Sequence, residues 1–225
     1  MKLVHPDYQM QIQFVEGEII SLVIESEQHF FKYIYELYGQ FCGREGRLVL
    51  SEAGNILKIN KYVDFINNPF SININQKNVI NKVYALLKEQ ILTSEEIENF
   101  YKINSDIVNL IESIGDTLNL PIKYEAVEDI TTFFKFMSVE LMMDEADSLV
   151  EKLTEYVKVI AQVLGVKVII LANMIPYLNN ADLQYIKKIA EYEKVTVLLI
   201  DNYEKEGYNF YDAKYIIDAD LCEII

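Results

Sequence analysis

The residues best equipped for chemistry in this sequence are carboxylates. Glu125, Glu128 and Asp129 stand at i, i+3 and i+4, a spacing that on a helix places all three on one face. Oxygen ligands so grouped suit a hard cation such as calcium. Glu140, Asp144, Glu145 and Asp147 form a second acid-rich stretch close behind. Neither stretch has the closed loop pattern of an EF-hand, and acids also gather in the first turn of a helix, where the macrodipole stabilises them. On spacing alone both roles stay open. Imidazole chemistry has only His5 and His29 to draw on, and neither sits in a metal or triad pattern. Cys42 and Cys222 are the only cysteines, so there is no disulfide framework and no zinc-like spacing; both read as packing residues.

Phosphate chemistry needs a glycine-rich loop closed by a lysine and a hydroxyl residue, and none of the 8 glycines belongs to one. Gly39, Gly43 and Gly46 lie close together, but no Lys-Ser or Lys-Thr follows them. A magnesium-holding carboxylate is expected at the end of a core strand in a nucleotide hydrolase, where this chain has Ala172-Asn173. Asp201 ends the next apolar run and has the right charge, yet a strand-end aspartate more commonly caps the following turn. ATP hydrolysis is therefore disfavoured. The lysines between Lys77 and Lys135 face ten acids between Glu89 and Asp129, so no basic stripe stands out.

These groups must be positioned by an α/β framework. Ile19 to Ile24 reads as a buried strand, followed by a helix through Phe30, Ile34, Leu37, Tyr38 and Phe41 with Ser26 as a possible N-cap. Gly54-Asn55 marks a hairpin between apolar runs. From about Asn75 the period becomes helical. Val79, Val83, Leu86 and Leu87 mark one helix, and Thr93 to Glu96 has capping-box spacing before a second stripe from Ile97 to Leu118. Leu120-Pro121 stops that helix, and a third places Val127, Ile130, Phe134 and Met137 inward. Val139 to Met143 reads as a strand, and Leu149 to Leu164 as an amphipathic helix closed by Gly165. Val166 to Leu171 and Val195 to Ile200 are strands apolar on both faces, with a helix through Leu183, Ile186 and Ala190 between them. Strand, helix, strand at this spacing implies a right-handed parallel crossover. The expected fold class is α/β with a partly parallel sheet: residues 1–74 and 138–225 form a discontinuous head, interrupted by an α-helical leg at 75–137.

The 225 residues are 51% hydrophobic and carry a net charge of −15. That is ample material for a core, and a charge that argues against nucleic-acid binding through the whole surface. No run approaches the roughly 18 apolar residues of a membrane span, and Met1 to Asp7 lacks a signal peptide's apolar core. The expected address is the cytoplasm.

Several strings together resemble the Csn-two family, small accessory proteins of type II-A CRISPR loci. They are Gly17 to Glu25, Asp64-Phe65-Ile66, Ile107 to Glu112, Leu118 to Glu125, Lys167 to Asn173, Tyr177-Leu178, Ile189 to Tyr192, Val197 to Asp201 and Tyr215 to Asp218. The resemblance implies an ATPase-like head without phosphate-loop chemistry, a helical leg and a calcium-stabilised homotetrameric ring. It further implies a non-catalytic protein that threads the ends of double-stranded DNA and supports spacer acquisition in antiviral defence, beside the spacer integrase and the RNA-guided nuclease. Under that resemblance the calcium ligands would be Glu125, Glu128 and Asp129, although Leu120-Pro121-Ile122-Lys123 dilutes the family's acid-rich stretch. The channel lysines would be Lys58, Lys61, Lys82, Lys123 and Lys135. A lysine-lined channel is compatible with an acidic exterior, because charges beyond a Debye length of about 8 Å are largely screened. Two other readings stand beside this one: a degenerate nucleotide-dependent enzyme using Asp201, and an acidic scaffold for protein partners only.

Overall fold

The computed structural model describes residues 1–142, 148–205, 207 and 211–224. The chain divides into two compact units, Met1–Ile74 with Met143–Ile225, and Asn75–Met142. The return to the first unit thus falls five residues beyond the boundary at 138 expected above.

The first unit opens with β1 (Lys2–Val4), β2 (Gln11–Gln13), β3 (Ile19–Ile24) and α1 (Glu27–Phe41), then β4 (Val49–Glu52), β5 (Asn55–Leu57), α2 (Ile59–Tyr62) and β6 (Val63–Ile66). The second unit holds α3 (Lys77–Leu92), α4 (Glu96–Leu118) and α5 (Ile130–Phe136). The chain then resumes the first unit with α6 (Leu149–Leu164), β7 (Val168–Ala172), α7 (Asn180–Glu193), β8 (Thr196–Asp201), β9 (Ala213–Ile217) and β10 (Glu223–Ile224). Among the described residues two sheets form, ordered β2-β1-β4-β5 and β10-β9-β3-β8-β7-β6. The larger is parallel from β9 to β6, with β10 antiparallel at its edge.

Every residue of β3, β7 and β8 is buried, Ser21, Thr196 and Asp201 among them, and their largely apolar runs suit strands covered on both faces. Ile20, Leu22, Ile24, Ile170, Leu198 and Ile200 face one core with Tyr33 and Leu37 of α1 and Leu3, Ile12 and Leu50 of the small sheet. Each large apolar side chain buried there contributes about 1.5–3 kcal/mol relative to exposure. By the alternation of a strand, Ile169, Leu171, Val197 and Leu199 point the opposite way. Buried Leu153, Tyr156, Val157 and Ile160 of α6 and Leu183, Ile186 and Ala190 of α7 supply the matching apolar faces. Local chemistry sets the ends: Ser148 caps α6 by accepting from the Glu151 amide at 3.3 Å, and Gly165 terminates it at φ 68°. Asn179 and Asp182 form a reciprocal capping box on α7.

Several sequence expectations need correction. The hairpin turns on Ala53-Gly54, both at positive φ, one residue before the expected pair, and Asn55 already belongs to β5. Ser26 occupies the N-cap of α1, but its hydroxyl meets His29 Nδ1 at 3.0 Å and caps no amide. The expected capping box at Thr93–Glu96 is not formed, because Thr93 closes α3 with its hydroxyl on the Glu89 carbonyl at 2.9 Å. Val139 to Met142 is irregular and not a strand: the Asn75 amide side chain takes the Leu141 backbone at 2.9 and 3.0 Å, in place of a neighbouring strand. Met143, the last residue of that expected strand, lies outside the described residues. Met137, expected inward, is 68% exposed just past the end of α5.

Candidate functional site

In a parallel α/β sheet, ligands gather at the carboxyl ends of the strands, so that edge is where nucleotide chemistry would reside. Here β3 passes to α1 through Glu25 and Ser26 alone, and Glu27 opens the helix. Two residues cannot build a looped cradle of amides, and carboxylates at 25 and 27 would repel a phosphate. The β7 edge ends in exposed Asn173 at φ 57°, whose amide donates to the Ile200 carbonyl at 3.0 Å. Asp201 is only 3% exposed, and among the described residues neither carboxylate oxygen has a hydrogen-bond partner, so the expected turn cap is not made. Burial pushes its carboxyl up to about 7, while the nearby Ile175 amide, outside hydrogen-bond geometry, lowers it less.

Glu125, Glu128 and Asp129 lie on a non-helical strap, residues 119–129, that runs back along α4. Asn119 turns the chain in the left-handed region, and Ile122 then packs against Gly115, where a Cβ would come within 3.1 Å of its terminal methyl. The Tyr124 hydroxyl donates to Glu112, and Asn104 Nδ2 donates to the Val127 carbonyl at 2.9 Å. Asp129 is the N-cap of α5, accepting from the Thr131 amide at 3.0 Å and the Thr131 hydroxyl at 2.8 Å, and it pairs with Lys88 at 3.2 Å. The Thr131 amide and hydroxyl, then Lys88, hold its carboxyl down at about 2. Its oxygens are thus committed, while Glu125 and Glu128 are exposed. Among the described residues no group of three or more His, Cys, Asp or Glu side chains comes together as a metal site. The expected calcium trio therefore does not fit the ion within one chain. Glu140 is exposed, and Asp144, Glu145 and Asp147 lie outside the described residues.

The expected channel lysines are all exposed. Lys58 is the N-cap of α2, and Lys61 sits in its last turn with Nζ 5.5 Å from the Tyr62 ring centroid. Lys82 is on α3, Lys123 on the strap and Lys135 in the last turn of α5. Among the described residues none of the five is in an ion pair, whereas Lys88, Lys158, Lys167, Lys187 and Lys214 are.

Three features had no clear sequence signal. His5, 6% exposed, accepts from the Asp7 amide at Nδ1 and meets Glu36 at Nε2, 3.2 Å away. Arg47 grips both oxygens of Glu36 and reaches Asp7 at 2.8 Å. Burial alone would raise the Glu36 carboxyl, but the Arg47 side chain and amide, then His5, hold it down at about 2. Asp64 of β6 is buried on the α6 side. Burial raises it to about 6, although the Tyr156 hydroxyl and Phe65 amide oppose the shift. Finally, α4 buries only Phe100 and Gly115, which leaves Ile103, Ile107, Leu110, Ile114 and Leu118 between 40% and 60% exposed along one face. Ile107, Ile114 and Leu118 belong to the helical stripe expected from the sequence, Ile103 and Leu110 do not, and the exposure of this face was not legible there.

The fold and this edge define an α/β protein with a partly parallel sheet, an inserted helical unit and no phosphate loop at the β3–α1 junction. Residues 40–221 match the family of the CRISPR-associated protein (Cas_Csn2), more than half of the chain. The chain belongs to that family, the Csn-two family. Similar solved structures include cbiO1 from Clostridium perfringens, part of the cbiONQ ABC transporter complex. It is 11% identical over 96% of this chain and 81% of the other, with a TM-score of 0.47. The ADP conformation of an ATP-binding cassette of an ABC transporter is 14% identical over 92% and 79%, at 0.42. An ABC transporter ATP-binding protein from Pyrococcus furiosus is 11% identical over 96% and 97%, also at 0.42. No curated protein matches significantly.

Proposed function

We propose that this chain is a non-catalytic cytoplasmic protein of CRISPR spacer acquisition, binding the ends of double-stranded DNA as a ring-forming homotetramer beside the spacer integrase and the RNA-guided nuclease. The observation that carries the reading is membership of the Csn-two family over residues 40–221. The two-residue β3–α1 connection, flanked by acids, supports a role without nucleotide hydrolysis. The exposed apolar stripe of α4 supports self-association, since a patch of that kind commonly marks an interaction surface. The five exposed lysines, in no ion pair among the described residues, are the candidates for phosphate contacts, which position a duplex without reading its sequence and weaken steeply with salt. Among the described residues no helix is long and apolar enough to cross a membrane.

A ring that threads its ligand discriminates by topology. In a gel-shift competition the protein is expected to favour linear duplex strongly over covalently closed circular duplex of the same sequence and length. Equal competition by the two forms would remove threading, and no binding to either would remove the DNA role.

A further inference from the structure

Two single 3-10 turns follow neighbouring parallel strands at the carboxyl edge of the large sheet, and each presents one aromatic ring to solvent. Pro69–Ser71, after β6, carries Phe70, 86% exposed, and Ile175–Tyr177, after β7, carries Tyr177, 50% exposed. An exposed phenylalanine on a turn serves no core, so what surrounds it decides its use. Both turns are braced. The Asn68 side chain accepts from the Phe70 amide at 2.9 Å, and the Ser71 hydroxyl donates to the Asn68 carbonyl at 3.0 Å. Lys205 Nζ donates to the Ile175 and Leu178 carbonyls at 3.5 and 3.2 Å. The two rings meet at an interplanar angle of 81° with centroids 6.2 Å apart, making a corner. That corner lines a cavity of about 400 Å³ together with Ile72, Ser148 at the N-cap of α6, and Leu149 and Lys152 of that helix. Lys152 is exposed and in no ion pair among the described residues. Ser148 Oγ accepts from the Glu151 amide at 3.3 Å, which leaves its O–H free to donate.

We infer that this cavity takes one unpaired nucleotide, its base against the Phe70–Tyr177 corner and its phosphate at Lys152 and Ser148. A planar heteroaromatic ring can use both the face of one ring and the edge of the other, and every base has the π-face that such stacking needs. The single ammonium and hydroxyl beside it match the charge and acceptor oxygens of an attached phosphate. Bases inside a duplex are already stacked and paired and cannot enter. The nucleotide is then either free or the unpaired terminal residue of a DNA strand. The second source rests on the DNA-end reading above and deepens it, making a frayed or tailed end the preferred substrate.

The test is fluorescence anisotropy with a labelled blunt duplex and with the same duplex carrying a short single-stranded thymidine tail, alongside a calorimetric titration with thymidine monophosphate. The wild-type chain is expected to bind the tailed duplex about tenfold more tightly than the blunt one, the gain of stacking a base. Phe70→Ala with Tyr177→Ala should bind both duplexes equally and keep the wild-type affinity for the blunt one, as both rings are exposed and neither supports the core. Lys152→Gln should reduce the tail's advantage, and high salt should erase that reduction. Saturable monophosphate binding that the double variant loses, without a tail preference, assigns the cavity to free nucleotides. No tail preference together with no saturable monophosphate binding overturns the site, while intact blunt binding leaves the DNA reading standing. Loss of all duplex binding counts against the DNA reading alone, and the monophosphate titration then decides the cavity.

Discussion

Replacing Asp201 by asparagine isolates one buried, unpartnered carboxyl whose effect on stability must change with pH. The native carboxyl titrates at about 7, against an ordinary value of 3.8, because burial penalises its charge. A raised pKa means that the folded chain holds the proton more tightly than the unfolded one. Its contribution is therefore fully present below about pH 4 and is lost as pH rises through 7. With about 1.4 kcal/mol per pKa unit, the penalty of ionisation reaches about 4 kcal/mol by pH 8 but stays below about 2 kcal/mol at pH 5. Asp201→Asn cannot ionise and escapes this loss. Its stability relative to wild type should improve by about 2–3 kcal/mol between pH 5 and pH 8. Asp64, raised to about 6, titrates in both proteins and cancels in the comparison. Urea unfolding of the two proteins at both pH values reads the difference directly. A constant difference across that range would refute the claim that Asp201 is a desolvated carboxyl without a partner.

Leu110 is 60% exposed at the centre of the α4 stripe, so Leu110→Asp should leave the helical circular dichroism unchanged while lowering the assembled mass in sedimentation velocity. An unchanged mass would exclude this face from self-association. Glu36→Gln should cost about 1 kcal/mol at pH 7, modest because Arg47 is half exposed and its charge is screened. Since the Glu36 carboxyl is lowered to about 2, that stabilisation is present above pH 4.5 and fades as pH falls through 2. Equal unfolding midpoints for the variant and wild type at pH 7 would mark the Arg47 clasp as energetically idle.

Strands buried on both faces announce themselves, because covering both sides of Ile19 to Ile24 or Thr196 to Asp201 demands a mostly apolar run, broken here only by Ser21 and by the terminal Thr196 and Asp201. The amphipathic helix ending at Gly165 was equally legible from its stripe and its left-handed stop. By contrast β1, β2 and β10 span two or three residues each, too short to show a period. They are held by partners far away in sequence, as where the Glu223 carboxylate accepts from the Gln9 and Met10 amides. The apolar run after Val139 misled for the opposite reason: it had strand composition, but Asn75 took its backbone first. At the acids, i, i+4 spacing places Glu125 and Asp129 together only on a helix, and Pro121 lies in a segment that never becomes one. Asp201 was visible as a strand-end acid, whereas its isolation depends on the packing around Ile175, which no local pattern encodes.

Threading itself is tested most directly by trapping. The protein is loaded on linear duplex, both ends are then capped with bulky streptavidin, and dissociation is followed in high salt against an uncapped control. A closed ring should stay on the capped duplex after it has left the open one, and cutting the capped duplex internally should release it. Equal rates of loss from capped and open duplex would contradict the ring.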